Sequence, residues 1–128
     1  MPGMTPGEIV GAMIGAIERK DLPAALALMA DDVEYDNVPM GKVHGHSGVT
    51  ASLEPFLARC VEIEWVVHHQ AETGDAADAV VMNERTDRFL FGDHWGEIAV
   101  AGLFLVRDGK ITLWRDYFDL AAARAAMA

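Results

Sequence analysis

The spacing of hydrophobic residues divides the chain into a helical first part and a strand-rich second part. Up to about residue 60, apolar side chains recur every three or four positions, which predicts three helices and one short strand, "VEYDNV". Pro6 begins the first helix and Asp21 caps the second. The stretch "GKVHGHSG" predicts a loop, and Ser47 is the expected cap of the third helix.

Beyond that point the hydrophobic period changes to two, which is the period of β-strands. Four strands are predicted: "EIEWVVHHQAE", "AVVMNERTDRFLF", "EIAVAGLFLV" and "KITLWRDYF". A short alanine-rich helix ends the chain. Helices followed by mostly antiparallel strands indicate the α+β class, with the N-terminal helices packed over the concave face of one curved mixed sheet. At this length we expect a single domain over residues 1–128.

Strand alternation places charged side chains on faces that otherwise read as buried. On the strand "AVVMNERTDRFLF", one face carries Val81, Asn83, Arg85, Asp87 and Phe89. The same rule sets a carboxylate between two aromatic residues of the last strand, and a tyrosine with an amide on the first. The polar set on these apolar faces is Tyr35, Asn37, Arg85, Asp87 and Asp116.

Buried charges of this kind need partners, and an arginine between two carboxylates supplies them. Such a network can be purely structural, yet a tyrosine and an amide beside it make it more polar than a core requires. Two carboxylates in unlike environments can divide acid and base work: one accepts a proton from water while the other gives a proton to a leaving oxygen. This chemistry suits the addition of water to a strained ring.

Composition narrows the possible partners. Asp and Glu number 20 against 10 Lys and Arg, and no basic run is present, which argues against nucleic acid and anionic membranes. The single cysteine, Cys60, rules out an intrachain disulfide and favours the reducing cytoplasm. The histidines form no ligand pattern with the carboxylates and no glycine-rich phosphate loop is present, so we expect neither a metal nor a cofactor.

Three motifs in order along the chain, "YDN", "RTD" and "GKITLWRDYFDL", resemble the limonene-1,2-epoxide hydrolase family. The resemblance runs from about Glu8 to Leu120. It implies the curved-sheet cone of nuclear transport factor 2-like and SnoaL-like proteins. It also implies a single-step, cofactor-independent reaction in which water opens an epoxide to a vicinal diol.

The resemblance also assigns roles to the five polar residues by position. Asp116 matches the base that activates the water, and Asp87 matches the acid that protonates the epoxide oxygen. Arg85 matches the bridging arginine between them. Tyr35 and Asn37 match the pair that binds the water.

The expected substrate is a small or medium apolar epoxide, held in an apolar pocket. The side chains expected to line it are Leu53, Phe56, Phe89, Trp114 and Phe118. Two other readings are compatible with the residues. One is an isomerase or cyclase of the same fold that abstracts a proton beside a carbonyl. The other is a non-catalytic module that binds apolar ligands.

A homodimer is expected by analogy with the fold. One strand face of "EIAVAGLFLV" is either its interface or part of the core. The residues of that face are Ile98, Val100, Gly102 and Phe104.

Overall fold

Four helices and six strands make up the part of the chain that the computed structural model describes, residues 3–128. The predicted domain of residues 1–128 includes residues 1 and 2, which lie outside the described residues. The helices are α1 (Pro6–Glu18), α2 (Leu22–Ala27), α3 (Gly45–Arg59) and α4 (Leu120–Ala126). The strands are β1 (Met29–Asn37), β2 (Gly41–His44), β3 (Glu62–Asp75), β4 (Asp78–Phe91), β5 (His94–Arg107) and β6 (Lys110–Tyr117).

All six strands form one curved sheet in the order β2-β1-β6-β5-β4-β3. The pair β1 and β6 is parallel, and the other neighbours are antiparallel. Helix α1 packs on β3 and β4, and α3 packs on β1 and β2. The predicted α+β class, with N-terminal helices over a mostly antiparallel sheet, is confirmed. None of the helices within residues 3–128 has both the length and the apolar character needed to span a bilayer.

The first two helices begin where the sequence predicts. Thr5 and Glu8 form a capping box at the start of α1: the Thr5 hydroxyl accepts from the Glu8 N–H at 3.2 Å, and the Glu8 carboxylate accepts from the Thr5 N–H at 2.8 Å. The Asp21 carboxylate accepts from the Ala24 N–H at 3.2 Å and caps α2. Met13 and Ile17 of α1 are fully buried against the sheet.

The predicted loop "GKVHGHSG" was wrong. Its first half is β2, which pairs antiparallel with β1, and its second half is the first turn of α3. A turn after Asn37, in which the Met40 N–H donates to the Asn37 carbonyl at 2.7 Å, folds β2 back onto β1. Pairing with β1 stabilises this short polar strand, and its own hydrophobic pattern gives no sign of it. Helix α3 starts at Gly45, and His44 occupies its N-cap position. The prediction that Ser47 caps this helix was wrong, because Ser47 lies within the first turn.

The inner face of β5 belongs to the interior. Val100, Gly102 and Phe104 are buried there, and Ile98 is half-buried and packed against the core. The expectation that this strand face is part of the core is therefore correct. The alternative, that it forms a subunit interface, was wrong. The alternate residues of β5 point to the outer face of the sheet instead.

Candidate active site

The guanidinium of Arg85 joins the two predicted carboxylates at the centre of the site. Its Nε donates to Asp87 Oδ1 at 2.9 Å and its Nη2 donates to Asp87 Oδ2 at 3.0 Å. Nη2 also donates to Asp116 Oδ2 at 2.9 Å. Arg85 is 1% exposed, and the two aspartates are nearly as buried. Asp87 and Arg85 lie two residues apart on β4, whereas Asp116 reaches the guanidinium from β6, across β5.

Burial sets the electrostatics of this cluster. It raises the pKa of Asp87 and of Asp116, and the charge and hydrogen bonds of Arg85 only partly oppose that rise. Burial alone lowers the pKa of Arg85, yet Asp116 and Asp87 hold it above its usual range, so the guanidinium stays charged. One cation between two acids whose pKa values are raised favours a state in which one of the acids keeps its proton.

Tyr35 and Asn37 enter the site from β1, because β1 runs parallel to β6 with Asn37 beside Asp116. Burial, and after it the charge of Asp116, raise the pKa of Tyr35, so its hydroxyl is protonated at neutral pH. Asp116 Oδ1 is buried and accepts no hydrogen bond of good geometry within the described chain, although the nearby indole N–H of Trp114 helps to lower the pKa of the Asp116 carboxyl. A buried acceptor of this kind needs a donor. The structure thus brings all five predicted polar residues together, and they leave one carboxylate oxygen unpaired.

An apolar cavity of about 150 Å³ lies above the cluster. Four of the five predicted wall residues line it: Leu53, Phe56, Phe89 and Phe118. Trp114 does not line the cavity. Its indole is fully buried under the ring of Tyr35, with the ring centroids 4.1 Å apart. Alternation placed Trp114 on the correct strand face, but a neighbouring strand covers it.

Sequence reasoning missed several residues of the site. Asn83 is 5% exposed, and its Oδ1 accepts from Arg85 Nη1 at 3.0 Å. It lies two residues before Arg85 on the same buried face, so strand alternation already contained the signal. Trp65 of β3 and Ser52 of α3 also line the cavity, as do Ala123 and Met127 near the chain terminus. Finding Ser52, Ala123 and Met127 requires knowing how the helices pack over the sheet, and finding Trp65 requires the strand register that pairs it with Asp87.

The histidines lie away from this cluster. His44 contacts Glu34, and His46 contacts the Met29 carbonyl. The adjacent pair on β3 contacts outward-facing side chains of β4. Within residues 3–128, no three His, Cys, Asp or Glu side chains converge as metal ligands would.

The fold and the site together define a class of protein: nuclear transport factor 2-like α+β domains with a polar cluster beneath an apolar cavity. The family model described as "Limonene-1,2-epoxide hydrolase catalytic domain" matches residues 4–127. The chain therefore belongs to the limonene-1,2-epoxide hydrolase family. The enzyme class predicted from the motif resemblance, an epoxide hydrolase, is confirmed.

Two relatives from Mycobacterium tuberculosis agree with this assignment. The protein named Epoxide hydrolase EphG is 35% identical over 111 residues, which cover 87% of this chain and 71% of that protein. The solved structure of an LEH-like epoxide hydrolase is 30% identical, covers 94% of this chain and 87% of that chain, and has a TM-score of 0.78.

More distant structures share the fold alone. A hypothetical protein with a ketosteroid isomerase-like fold from Catenulispora acidiphila has a TM-score of 0.80 at 22% identity, over 96% of this chain and 93% of that chain. The shared architecture is therefore broader than any one chemistry. The residues of the site have to carry the assignment of mechanism.

Proposed function

We propose that this protein adds water in one step to a small or medium apolar epoxide and releases a vicinal diol. The observation that carries this proposal is the unequal treatment of two buried carboxylates by one arginine. Arg85 binds both oxygens of Asp87 but only one oxygen of Asp116. Two acids in unlike settings are suited to opposite proton transfers in the same reaction.

In the proposed mechanism Asp116 is the general base. Its Oδ1 is unpaired, and Tyr35 and Asn37 line the same cavity as Asp116 and offer polar atoms to a water molecule. As the water oxygen forms a bond to a ring carbon, its proton passes to Asp116. The ring C–O bond breaks in the same step.

Asp87 is the general acid of this mechanism. Burial raises the pKa of its carboxyl more than the charge and the two hydrogen bonds of Arg85 lower it, which favours the protonated form that the role requires. It gives that proton to the epoxide oxygen as the ring opens. Afterwards Asp116 carries the extra proton and Asp87 lacks one, so proton exchange between the pair and solvent restores the starting state. No covalent intermediate is needed.

The dimensions of the cavity support a compact substrate. A cavity of about 150 Å³ has the capacity to hold a ring of benzene size. A six-membered ring carrying an epoxide matches this volume. Side groups on a larger ring extend toward the solvent-facing part of the wall, where Met40 is 64% exposed.

We also infer that the protein is a homodimer. The outer face of the sheet exposes Met82 of β4 and Tyr117 of β6, at 54% and 46% exposure, with Ala99 and Ala101 of β5 between these strands. Apolar side chains grouped on one exposed face are typical of a protein interface, and a second copy of the same face covers them by two-fold symmetry.

The test of the mechanism is diol formation by the wild type and by Asp116→Asn. The panel includes cyclohexene oxide and limonene oxide, and chiral gas chromatography separates the diols. Asn keeps the shape of Asp116 but cannot act as a base, so we expect kcat to fall by at least about 100-fold. Asp93→Asn is the matched control, because Asp93 is exposed in the turn between β4 and β5.

Near wild-type turnover by a folded Asp116→Asn protein would contradict the mechanism. A wild type that forms no diol from any epoxide but isomerises an enone would favour the isomerase reading. Circular dichroism of each variant separates loss of chemistry from loss of fold.

A further inference from the structure

One row of paired residues crosses the sheet through the candidate site. Gln70 of β3 pairs with Asn83 of β4, which pairs with Gly102 of β5. Gly102 pairs in turn with Asp116 of β6, and Asn37 of β1 follows on its far side. Four polar side chains thus lie in one line across five strands, with a glycine in the middle.

The guanidinium of Arg85 occupies the space above that glycine. A Cβ atom on Gly102 would lie 2.5 Å from Arg85 Nη1 and 2.8 Å from Asn83 Oδ1, closer than non-bonded atoms approach. Because Gly102 has no side chain, the guanidinium can bridge from Asn83 on one side to Asp116 on the other. Its Nη1 points to β4 and its Nη2 points to β6.

Asn83 fixes which way this guanidinium is turned. Its Oδ1 accepts from Arg85 Nη1 at 3.0 Å, and its Nδ2 donates to Gln70 Oε1 at 3.2 Å. The second bond sets the orientation of the Asn83 amide, so that its oxygen faces the arginine. Within the described chain, Asn83 Oδ1 is the only acceptor that Nη1 contacts.

The consequence concerns the free oxygen of Asp116. An arginine and a carboxylate commonly form two parallel hydrogen bonds, but here Asp116 receives only one, from Nη2. We propose that Asn83 is a positioning residue that holds Arg85 Nη1 away from Asp116, so that Asp116 Oδ1 stays free to take a proton from water. This inference rests on the proposed function, in which Asp116 is the base. Gln70 supports Asn83 from the next strand.

Asn83→Leu tests the inference, because leucine is similar in size and offers no acceptor. Nη1 would then be buried without a partner, and the planar guanidinium would pivot as a unit until Nη1 donates to Asp116 Oδ1. We expect kcat to fall roughly 10- to 100-fold, as for other small misplacements of a catalytic group. KM should change little, because Asn83 is absent from the cavity wall.

The pH profile separates positioning from a merely structural role. A second hydrogen bond from Arg85 favours the ionised form of Asp116, so the acid limb of kcat should move to lower pH in Asn83→Leu. Asn83→Asp keeps an acceptor for Nη1 and adds a negative charge. It should therefore recover most of the lost kcat and move the acid limb to higher pH. Glu84→Gln, on the outward face of the same strand, is the matched control and should change neither quantity.

The two proposals fail in different ways. Loss of diol formation in Asp116→Asn, together with unchanged kcat and an unmoved acid limb in folded Asn83→Leu, would overturn the role of Asn83 alone. Full activity of Asp116→Asn would overturn the mechanism itself. If Asn83→Leu does not fold, the same measurements are made on Asn83→Ser with the same expected results, because the serine hydroxyl is too short to reach Nη1.

Discussion

At the scale of single residues, the site shows how one arginine makes two identical side chains different. Asp87 and Asp116 are both buried beside Arg85, so their intrinsic chemistry and burial do not separate them. Hydrogen bonding separates them, because Asp87 is fully engaged and Asp116 keeps one oxygen unpaired. The unpaired oxygen gives Asp116 a place to accept a proton, whereas the acid role of Asp87 rests on burial, which outweighs the Arg85 hydrogen bonds that favour its ionised form.

The pH dependence of turnover follows from the same residues. Burial raises the pKa of both acids above the usual aspartate value of 3.8. The base must be ionised and the acid protonated, so kcat/KM should fall on both sides of a maximum. Because both pKa values are raised, both limbs should lie at higher pH than two ordinary aspartates would give. Because the two carboxyls interact, the pKa values read from the two limbs belong to the pair and not to either aspartate alone.

The measurement is kcat/KM against pH, over the range in which circular dichroism shows an intact fold. An activity that keeps rising as the pH falls below the usual aspartate range would contradict the role of an ionised base. A profile with no alkaline limb would contradict the role of a protonated aspartate.

At the scale of elements, strand alternation predicted most of the site. Arg85 and Asp87 share a buried face of β4 because side chains two residues apart point the same way. The same period placed Tyr35 and Asn37 on the inner face of β1. Their convergence follows from the sheet order, in which β1 lies beside β6. Alternation therefore predicted which side chains share a face of each strand. That the strands lie close enough to form one site was instead expected from the fold class.

Other parts of the site depend on which residues pair between neighbouring strands and on which elements cover them. The local sequence of one strand does not show either. The pairing of Asn83 with Gly102 is a property of two strands together, so Gly102 could not be recognised as the space for the guanidinium. Trp114 has the pattern of a wall residue, but the ring of Tyr35 on the neighbouring strand covers it. Met127 reaches the cavity only because α4 folds back across β5.

Helix α4 offers a prediction at this scale. Arg59 donates to the Met127 carbonyl at 2.8 Å and lies over the ring of Phe91, which fixes the end of α4 against α3. Arg59→Leu removes that hydrogen bond and loosens a wall of the cavity. We expect KM to rise about two- to tenfold, as the loss of one ordinary hydrogen bond allows, with kcat unchanged.

Steady-state kinetics with a compact epoxide measures both constants. Arg107→Leu is the control, because Arg107 is exposed at the other end of the sheet. A fall in kcat at constant KM would mean that α4 acts on the chemistry rather than on binding.

At the scale of the whole molecule, the sheet has two faces with different tasks. The concave face holds the acid–base cluster and is covered by helices, whereas the outer face carries exposed apolar residues along β4, β5 and β6. The sequence-based interface used the inward-facing residues of β5, whereas the exposed surface is made by the residues next to them in sequence. A shift of one residue exchanges the two faces of a strand. The proposed dimer therefore buries the alternate residues of β5.

Met82→Glu tests that interface. The side chain of Met82 is 54% exposed in the single chain, so the change should cost the monomer little. In a two-fold dimer it brings two added carboxylates into a buried apolar contact, which is strongly unfavourable. Sedimentation should give about twice the 13.9 kDa chain mass for the wild type and a shift toward one chain for the variant. Val61→Glu is the control, since Val61 is 56% exposed away from this face.

The same variant separates assembly from catalysis. All five proposed catalytic side chains and the residues of the cavity wall come from one chain. Met82→Glu should therefore keep a kcat close to that of the wild type even as a monomer. A monomeric wild type would contradict the interface. A dissociated variant that loses kcat while its fold persists would mean that the second copy holds the site in its active geometry.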